Sequence, residues 1–387
     1  MWRSLASNML TVLAVVLFLL AGLILWGQRE YVAEGPLDHA VCVRVASGST
    51  MSKVSRNLVD QGAISSGTVF RLGAQYSEKN SQLKAGNFLV PPRASMEGIV
   101  DAITRGGAST CGAEVVYRIG VTRSRAELRE LDPDTMTEVE LAKFDLGTSD
   151  EVPAVFAEKT AGADTSFRIA VAEGVTNWQV VEALKAIDVL SGEITDVPAE
   201  GMLAPHSYEI TRGTEREALL GQMQALQQKR IDEVWAKRQE GLPFSTPEQM
   251  LVLASIIEKE TGVPDERGAV ASVFVNRLKA GMRLQTDPTV IYGLTKGAGV
   301  LGRGLRQSEL RRVTPWNTYV IEGLPPTPIA NPGLASLEAA VDPAVTDYVF
   351  FVADGTGGHV FSSTLEDHNR NVAKWRQIEA DRAKQSE

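Results

Sequence analysis

The sequence predicts an α+β protein with a single N-terminal transmembrane helix, a small β-α-α-β module and a separate mixed α+β domain. Three observations support this class: an uncharged run near the N-terminus, a strand–glycine–helix pattern that occurs twice, and a capped apolar helix in the C-terminal half. With 387 residues, 44% of them hydrophobic, the chain is long enough for two or three domains. The net charge of −9 argues against a nucleic-acid partner, because phosphate binding requires a basic face.

Residues 9–27 read "MLTVLAVVLFLLAGLILWG", nineteen residues without a charge. This length is close to the minimum for crossing a bilayer. A cleaved signal peptide has a shorter apolar core and a small-residue cleavage site, so we interpret the run as an uncleaved anchor. Arg3 precedes the run, which favours a cytoplasmic tail over residues 1–8 and a position outside the cytoplasm for the rest of the chain.

Cys42 and Cys111 are the only cysteines, and both follow the predicted anchor. A disulfide can persist on the outer side of the membrane, so the pair could close one long loop. Two separate buried thiols are an equally good interpretation, because the sequence does not show whether the two Cα atoms come close enough to bond.

The strand–glycine–helix pattern occurs twice, with its glycine and threonine positions 126 residues apart. The first copy contains Gly48 and Thr50, and the second contains Gly174 and Thr176. In each copy the glycine permits a tight turn and the threonine is placed as a helix N-cap. Both copies are therefore predicted to be small β-α units.

The first copy continues through a strand, a Pro-Pro break and another short amphipathic helix, which gives a β-α-α-β order over residues 41–107. This order and its Gly-x-Thr turn resemble a LysM-type glycan-binding module; a purely structural subdomain is the alternative. Residues 108–165 are predicted to be a linker or insertion. Within them, residues 120–165 are rich in Asp, Glu and Thr, with little apolar periodicity, which is typical of a solvated segment.

The strongest helix signal is "TPEQMLVLASIIEKET". Thr246 can be the N-cap, Pro247 fits the first helical position and Gln249 completes a capping box. Between Met250 and Ile257 only Ser255 is polar, so the helix is apolar all round and is expected to lie in the core.

Two glutamates, Glu258 and Glu260, close this helix. A helix turns by about 100° per residue, so the two carboxyls point about 200° apart and cannot share a proton or a metal. Glu258 shares a face with the small residues Ala254 and Ser255, which are expected to leave room for a ligand, whereas Glu260 is expected to reach solvent or a structural arginine. Burial beside apolar residues raises the pKa of a carboxyl, which makes Glu258 the candidate general acid. The alternative is that both are ordinary last-turn charges.

Polar and aromatic residues gather in three loops after this helix, over residues 285–292, 316–319 and 323–333. Neutral donors and acceptors among aromatic rings suit a sugar chain, although the same residue types also form structural turns. The candidate substrate-binding residues are Gln285, Asp287, Tyr292, Asn317 and Tyr319. A G-x-G-x-x-G match at residues 297–302 lacks the strand–helix context of a dinucleotide site, and no cofactor and no metal is predicted.

The stretches "LASIIEKETGVPDERGAVASVFVNRLKAGMRLQTDPTVIYGL" and "TPWNTYVIEGLPPTPIANPG" resemble the catalytic domain of the MltG (YceG-like) family of endolytic murein transglycosylases. The similarity runs from residue 250 to about 375, which sets a predicted domain over residues 166–382 with a catalytic core at about 246–375. Residues 120–165 have no counterpart in it. The resemblance implies an enzyme of the cell inner membrane with its C-terminal part in the periplasm. It implies peptidoglycan glycan strands as substrate and cell-wall synthases (penicillin-binding proteins) as candidate partners.

The resemblance also implies a reaction, with Glu258 as the first glutamate of the family's "EKE" element. Glu258 would protonate the oxygen between N-acetylmuramic acid and N-acetylglucosamine in nascent strands. Its carboxylate would then take the proton of the C6 hydroxyl, whose oxygen closes onto C1 and leaves a 1,6-anhydro end, terminating polymerisation. Two alternatives stay open: a hydrolytic muramidase that uses Glu258 and Asp287, or a non-catalytic peptidoglycan-binding scaffold.

Overall fold

The structure, a computed structural model, describes residues 2–46, 48–105, 111–132, 135, 137–148, 152–162 and 165–385. Its contacts divide the chain into two compact units. The N-terminal unit comprises Met1–Val115, Glu127–Lys143 and Val152–Ser166, and the C-terminal unit comprises Val116–Ala126, Phe144–Glu151 and Phe167–Glu387.

The first helix is the one apolar N-terminal helix that the sequence predicts. α1 spans Trp2–Val32, and its stretch Thr11–Val32 has a mean hydropathy of 2.2, so it is long and apolar enough to cross a membrane. Tyr31, near the end of α1, packs its ring against Gly73, where any side chain would collide with it.

The predicted β-α-α-β order follows α1. The elements are β1 (Val41–Val45), α2 (Met51–Asp60), α3 (Gly67–Tyr76), β2 (Gly86–Val90) and α4 (Met96–Thr104). β1 and β2 pair antiparallel, and Thr50 caps α2 by accepting a 3.3 Å hydrogen bond from the Lys53 main-chain N–H. Apolar faces of all five elements meet in one buried core. Whether this module binds glycan stays a prediction.

The two cysteines are bonded to each other. The Cα atoms of Cys42 and Cys111 lie 5.9 Å apart, inside the usual range for a disulfide. The bond joins β1 to Cys111, which follows α4 in the chain. Of the two interpretations that the sequence left open, a disulfide and two separate thiols, the structure has the disulfide.

Residues 120–165 are not a solvated linker, contrary to the sequence prediction. The chain from residue 113 contains β3 (Ala113–Ile119), β4 (Ser124–Asp132), β5 (Thr137–Asp145) and α5 (Ala154–Ala161). Acidic residues that suggested a linker form ion pairs on the strands, among them Glu127 with Arg129 at 3.0 Å and Glu138 with Arg129 at 2.9 Å. Ion pairs between neighbouring strands stabilise this part of the sheet, so its strands lack the alternation of apolar and polar residues by which a strand is recognised in a sequence.

The second β-α unit is present as predicted. β6 (Ser166–Val171) leads to α6 (Asn177–Lys185) through Gly174, whose φ of 78° lies in the left-handed region, as does the φ of 73° at Gly48. Thr176 caps α6 in a capping box with Gln179. β7 (Ser207–Ile210) pairs antiparallel with β6, and the five-stranded sheet has the order β5-β4-β3-β6-β7.

A helical core fills the rest of the C-terminal unit. Its elements are α7 (Arg216–Trp235), α8 (Pro247–Glu260), α9 (Arg267–Lys279), α10 (Asp287–Thr295), α11 (Gln307–Leu310), α12 (Leu334–Val341), the hairpin β8 (Phe350–Ala353) and β9 (His359–Ser362), and α13 (Leu365–Gln385). Every residue from Met250 to Ile257 is buried, which confirms the prediction of a central α8. The core thereby fixes the C-terminal end of α8 among the loops that follow it.

Candidate active site

The end of α8 presents three polar side chains in three directions. The helix stops after Glu260 because Thr261 adopts extended backbone angles. Glu258, Lys259 and Glu260 are all partly exposed, whereas the preceding turns are buried. Each of the three side chains contacts a different segment of the C-terminal unit.

Glu258, which is partly exposed, contacts the main chain of a later segment. Its Oε2 accepts a 2.9 Å hydrogen bond from the Gly333 N–H, and the Ser255 hydroxyl one turn earlier accepts a 3.0 Å bond from the Ile329 N–H. The segment 329–333 thus covers the face of α8 on which room for a ligand was expected. Because Glu258 is still partly exposed, the room for a ligand beside it stays a prediction.

The Glu258 side is a tightly joined structural junction. The Gly174 N–H donates to the Asn331 carbonyl at 2.9 Å, and a side chain at Gly174 would touch the Cγ of Glu258 at 3.7 Å. Glu173 lies directly against Gly333, and partial burial followed by the charge of Glu258 raises the pKa of Glu173. Two carboxyls therefore share this junction, both of them close to Gly333.

Lys259 is held inside the unit. Its Nζ donates to the Gly174 carbonyl at 3.1 Å. Burial lowers the pKa of Lys259, while the charges of Glu258 and Glu200 act in the opposite direction. The ammonium therefore balances part of the acidic charge on this side of α8.

Glu260 faces the loop that carries the predicted sugar-binding residues. Its Oε1 accepts a hydrogen bond from the Thr286 hydroxyl, and the buried Thr286 is itself fixed by its N–H, which donates to the Thr318 hydroxyl at 3.0 Å. Burial raises the pKa of Glu260, and the charge of Asp287 raises it further, although the Thr286 hydrogen bond lowers it. Glu260 is also partly exposed, and the charge of the buried Arg277 acts on it, in keeping with the expectation that it reaches solvent or a structural arginine.

Two basic side chains lie near Glu260. The charges of His359 and Arg277 both lower the pKa of Glu260. Arg277 is buried, and its Nε donates to the Val349 carbonyl at 2.6 Å while its Nη1 donates to the Leu284 carbonyl at 2.8 Å. Arg277 thus holds the loop before Thr286 against β8.

Asp287 and Tyr319 form the outer wall beside Glu260. The Tyr319 hydroxyl donates to Asp287 Oδ1 at 2.6 Å. Burial, and then its bond to Asp287, raises the pKa of Tyr319. Gln285 is exposed and has a φ of 52°, and its Oε1 accepts a 3.5 Å bond from Arg277. Three of the five predicted substrate-binding residues therefore gather at Glu260.

The other two lie elsewhere. The Tyr292 hydroxyl donates to Glu200 at 3.2 Å, and its ring centroid is 5.8 Å from that of Trp316. Asn317 is fully buried; its amide donates to the carbonyls of Glu309, Leu310 and Arg312, and its Oδ1 accepts from the Tyr319 N–H at 3.0 Å. Asn317 therefore shapes the loop that carries Tyr319, and we leave it out of the proposed substrate-binding set.

Sequence reasoning missed Thr286, Glu266 and His359. The carboxylate of Glu266 accepts the His359 N–H at 2.8 Å and lies 2.8 Å from its Nδ1. Thr286 lies in the loop of residues 285–292 that the sequence analysis selected for sugar binding. Its position next to Asp287 could therefore have identified it as a candidate site residue. His359 lies 93 residues from Glu266 in the chain, and only the fold brings the two together.

The described residues contain no group of three or more His, Cys, Asp or Glu side chains that could hold a metal ion. What the arrangement offers is a half-buried carboxyl with a raised pKa, a second carboxylate beside it and neutral hydroxyl groups at the rim. A carboxyl with a raised pKa keeps its proton to a higher pH than an ordinary carboxyl does, and cleavage of a glycosidic bond requires a proton donor.

A model of the YceG-like family matches residues 43–125 and 113–374, which together cover most of the chain. The chain belongs to the YceG-like family. This YceG-like protein is 30% identical over 337 residues to a Bacillus subtilis protein named endolytic murein transglycosylase, across 87% of this chain and 84% of that one.

A second relative of this YceG-like protein, from Streptococcus pneumoniae, has the same name and is 29% identical over 341 residues. The match covers 86% of this chain but 58% of the pneumococcal protein. The solved structure of a YceG-like protein from Listeria monocytogenes is 24% identical, with a TM-score of 0.45, over 86% of this chain and 98% of that one.

Proposed function

We propose that the protein is a lytic transglycosylase that cuts within peptidoglycan glycan strands. The relatives named endolytic murein transglycosylases support the reaction class. The observation that carries the proposal to this chain is the half-buried Glu260 beside Asp287 and Tyr319, because glycosidic bond cleavage needs a protonated carboxyl next to a polar rim.

We assign the general acid to Glu260 in preference to Glu258. The sequence-based choice of Glu258 rested on an expected free space above α8 and on its match to the first glutamate of the family's "EKE" element; in the structure the segment 329–333 contacts that face of α8. Glu260 has the raised pKa that an acid catalyst needs, and it lies among three of the residues selected for sugar binding. Glu258 is retained as the competing assignment, and the two are compared directly in the Discussion.

The reaction has two proton transfers through one carboxyl. Glu260 donates its proton to the oxygen between N-acetylmuramic acid and N-acetylglucosamine as the bond to C1 breaks. The resulting carboxylate takes the proton of the C6 hydroxyl on the same muramic ring, and that oxygen bonds to C1 to give a 1,6-anhydro end. The nucleophile belongs to the substrate, so no water and no second carboxylate are required.

The neighbouring groups have supporting roles in this reaction. The Thr286 hydroxyl orients the carboxyl of Glu260, and the charge of Asp287 helps to keep it protonated. Gln285 and Tyr319 offer hydrogen bonds to sugar hydroxyls at the rim. Tyr292, whose ring is tilted against that of Trp316, would contact the strand further from the cleaved bond.

A hydrolytic muramidase is the second candidate, and one observation favours it. Asp287 is close enough to Glu260 for its charge to raise the pKa of Glu260. Most glycoside hydrolases use two neighbouring carboxyl groups in catalysis. Glu258, which the sequence paired with Asp287, lies against Gly333 instead. A muramidase would therefore use Glu260 and Asp287.

The remaining parts fit an enzyme of the inner membrane. α1 would anchor the chain with its C-terminal part in the periplasm, and the β-α-α-β module would bind the glycan as LysM modules do. Cutting nascent strands near the membrane would terminate their polymerisation and would bring the enzyme close to penicillin-binding proteins.

The size of the products tests the proposal. Purified full-length protein in detergent is incubated with long glycan strands, and the products are separated by length. We expect fragments of many sugars from the start of the reaction, because an endolytic enzyme cuts internally. Disaccharides released one at a time from strand ends, or intact strands, would contradict the proposal.

A further inference from the structure

The outer side of α3 carries an uncharged stripe. Its members are the exposed residues of α3, a helix that the structure describes in full, and none of them is charged: Thr68, Leu72, Gln75 and Tyr76. Their spacing places them within about 100° on one side of the helix. Leu72 is 61% exposed and Tyr76 is 87% exposed. A large apolar and an aromatic side chain thus lie uncovered side by side, in a chain of which 22% of the residues are charged.

The opposite side of α3 faces the core of the β-α-α-β module. Phe70 and Ala74 are fully buried, and each lies two residues, or about 200° around the helix, from Leu72. Arg71, the one charged residue of α3, is half-buried at the border of the stripe, where it donates to the Ser55 hydroxyl at 3.1 Å and to the Thr68 hydroxyl at 3.4 Å. The stripe is therefore a face that the module leaves uncovered.

α3 crosses α1 rather than running beside it. The Ser65 hydroxyl, just before α3, donates to Glu30 Oε1 at 2.6 Å, and Gly73 lies against the ring of Tyr31. Glu30 and Tyr31 are neighbours in α1, only about 1.5 Å apart along its axis, whereas residues 67–73 extend about 9 Å along α3. Two distant points of this segment therefore meet α1 at nearly the same height, which requires the two helix axes to cross.

The apolar part of α1 leaves this crossing on the side of the stripe. After Tyr31 the chain enters the module core at the buried Leu37. In the other direction, residues 11–26 of α1 are exposed along their whole length, so the module does not cover them. Since the core lies on one side of α3 and the apolar run extends away from the core, the run and the stripe lie on the same side of the module.

The crossing lies at the height of the lipid headgroups when α1 spans a bilayer. Tyr31 follows Gly27, the last residue of the uncharged run, by four residues, or about 6 Å along the helix. The headgroup layer on each side of the hydrocarbon core is about 5 to 7 Å thick. Tyrosine is enriched in this layer, because its ring is apolar and its hydroxyl is polar. A helix that crosses α1 at Tyr31 therefore lies along the membrane surface.

We propose that α3 docks on the lipid headgroup layer around α1, with the stripe against the bilayer. The inference rests on the part of the proposed function that makes α1 a membrane anchor. Leu72 inserts toward the acyl chains and Tyr76 stays at the level of the headgroups, as on other helices that lie in the membrane interface. This second membrane contact holds the β-α-α-β module in one orientation relative to the bilayer.

Spin labels on single introduced cysteines test the contact in the full-length protein, reconstituted into vesicles of phosphatidylethanolamine and phosphatidylglycerol. The native Cys42 and Cys111 are bonded to each other and leave no free thiol to label. Gln75→Cys places the label in the stripe, and Leu19→Cys places it in the apolar run of α1. The matched control, Lys53→Cys, places it on α2, at an exposed position of the same module.

Accessibility to a water-soluble nickel complex and to oxygen, which concentrates in lipid, reports the depth of each label. We expect the label at Gln75 to be roughly tenfold less accessible to nickel than the label at Lys53, because partial burial of two such side chains yields about 1.4 kcal/mol, a factor of ten. The double variant Leu72→Asp with Tyr76→Asp returns the accessibility at Gln75 to that at Lys53. Both substitutions are at exposed positions, and circular dichroism confirms that the core is intact.

Equal nickel accessibility at Gln75 and Lys53, with the Leu19 label in lipid, would overturn the docking of α3 and leave the anchor intact. Protection of Gln75 that survives the double substitution would also overturn it, because something other than the stripe would then cover the label. A Leu19 label that the nickel complex reaches would contradict the anchor, and the proposal with it. The strand-cleavage assay is independent of these labels, so a failure of the proposed reaction is distinguished from a failure of the contact.

Discussion

The substitutions Glu260→Gln and Glu258→Gln separate the two candidate acids, because glutamine keeps the shape of glutamate but carries no transferable proton. We expect Glu260→Gln to abolish nearly all cleavage. General acid–base catalysis contributes about 100- to 10,000-fold to a rate, which corresponds to roughly 3 to 5 kcal/mol of activation free energy. The loss falls on kcat, since the rim that binds the sugar is unchanged.

Glu258→Gln has a different expected result. The amide oxygen of glutamine can still accept the 2.9 Å hydrogen bond from the Gly333 N–H. Weakening a hydrogen bond to a charged acceptor costs at most about 1.5 to 3 kcal/mol of unfolding free energy. We therefore expect a modest loss of stability and cleavage within about threefold of the parent, well below the contribution of an acid catalyst.

Stability provides an independent check on Glu260. Burial raises the folded-state pKa of Glu260 above its unfolded-state value, so the folded protein binds the proton more tightly. Ionising Glu260 therefore destabilises the fold as the pH rises from the unfolded-state pKa of about 4.3 toward the folded-state value. Glu260→Gln removes the destabilisation that comes from ionising Glu260. We therefore expect the unfolding temperature of this variant at neutral pH to exceed that of the parent.

The assay measures kcat for the three proteins on one murein preparation, with circular dichroism to confirm folding and calorimetry to compare unfolding temperatures. Full activity in Glu260→Gln would refute the assignment of the acid. Loss of activity in Glu258→Gln with normal stability would transfer the role to Glu258. A lower unfolding temperature for Glu260→Gln at neutral pH would mean that the carboxyl stabilises the fold in its charged form.

The remaining predictions concern pH, the disulfide and the anchor. The rate of cleavage should fall as pH rises through the pKa of Glu260. Thr286→Val should move this fall to higher pH, because the Thr286 hydroxyl lowers the pKa of Glu260. Asp287→Asn should move it to lower pH, because the charge of Asp287 raises that pKa. Shifts in the same direction for both variants would contradict this account. Reducing the bond between Cys42 and Cys111 should lower the unfolding free energy by about 4 kcal/mol, the value of the chain-entropy model for a 69-residue separation. Urea titrations with and without reductant measure this difference, and identical unfolding midpoints would contradict the prediction. The mature protein should retain α1 and need detergent for extraction, and an N-terminus found after residue 27 would show that the run is a cleaved signal.

The sequence predicted those parts of the fold whose signals are local. α8 was predicted from its caps and its apolar run, and both β-α units from a glycine and an N-cap threonine in each. The strands β4 and β5 were missed because they are stabilised by ion pairs with neighbouring strands, such as Arg129 with Glu138, which a single segment does not reveal. The pairing of Cys42 with Cys111 likewise depends on contacts far apart in the chain.

The sequence predicted the elements around the candidate site, but not the contacts that its side chains make. The 200° between Glu258 and Glu260 follows from helix geometry, and the structure separates them as expected. The contact between Glu258 and Gly333 depends on where residues 329–333 return, and that segment lies more than 65 residues from α8. Asn317 illustrates the same limit, because a polar residue in a loop can equally bind a sugar or satisfy buried carbonyls.

The most direct test of the central claim is the chemistry of the new strand ends. Murein is cleaved by the parent enzyme in water enriched in oxygen-18, and the products are weighed by mass spectrometry. An intramolecular nucleophile predicts 1,6-anhydro ends that are one water lighter than reducing ends and contain no oxygen-18 from the solvent. Reducing ends that carry oxygen-18 would show that water is the nucleophile, and the lytic mechanism proposed for Glu260 would be wrong.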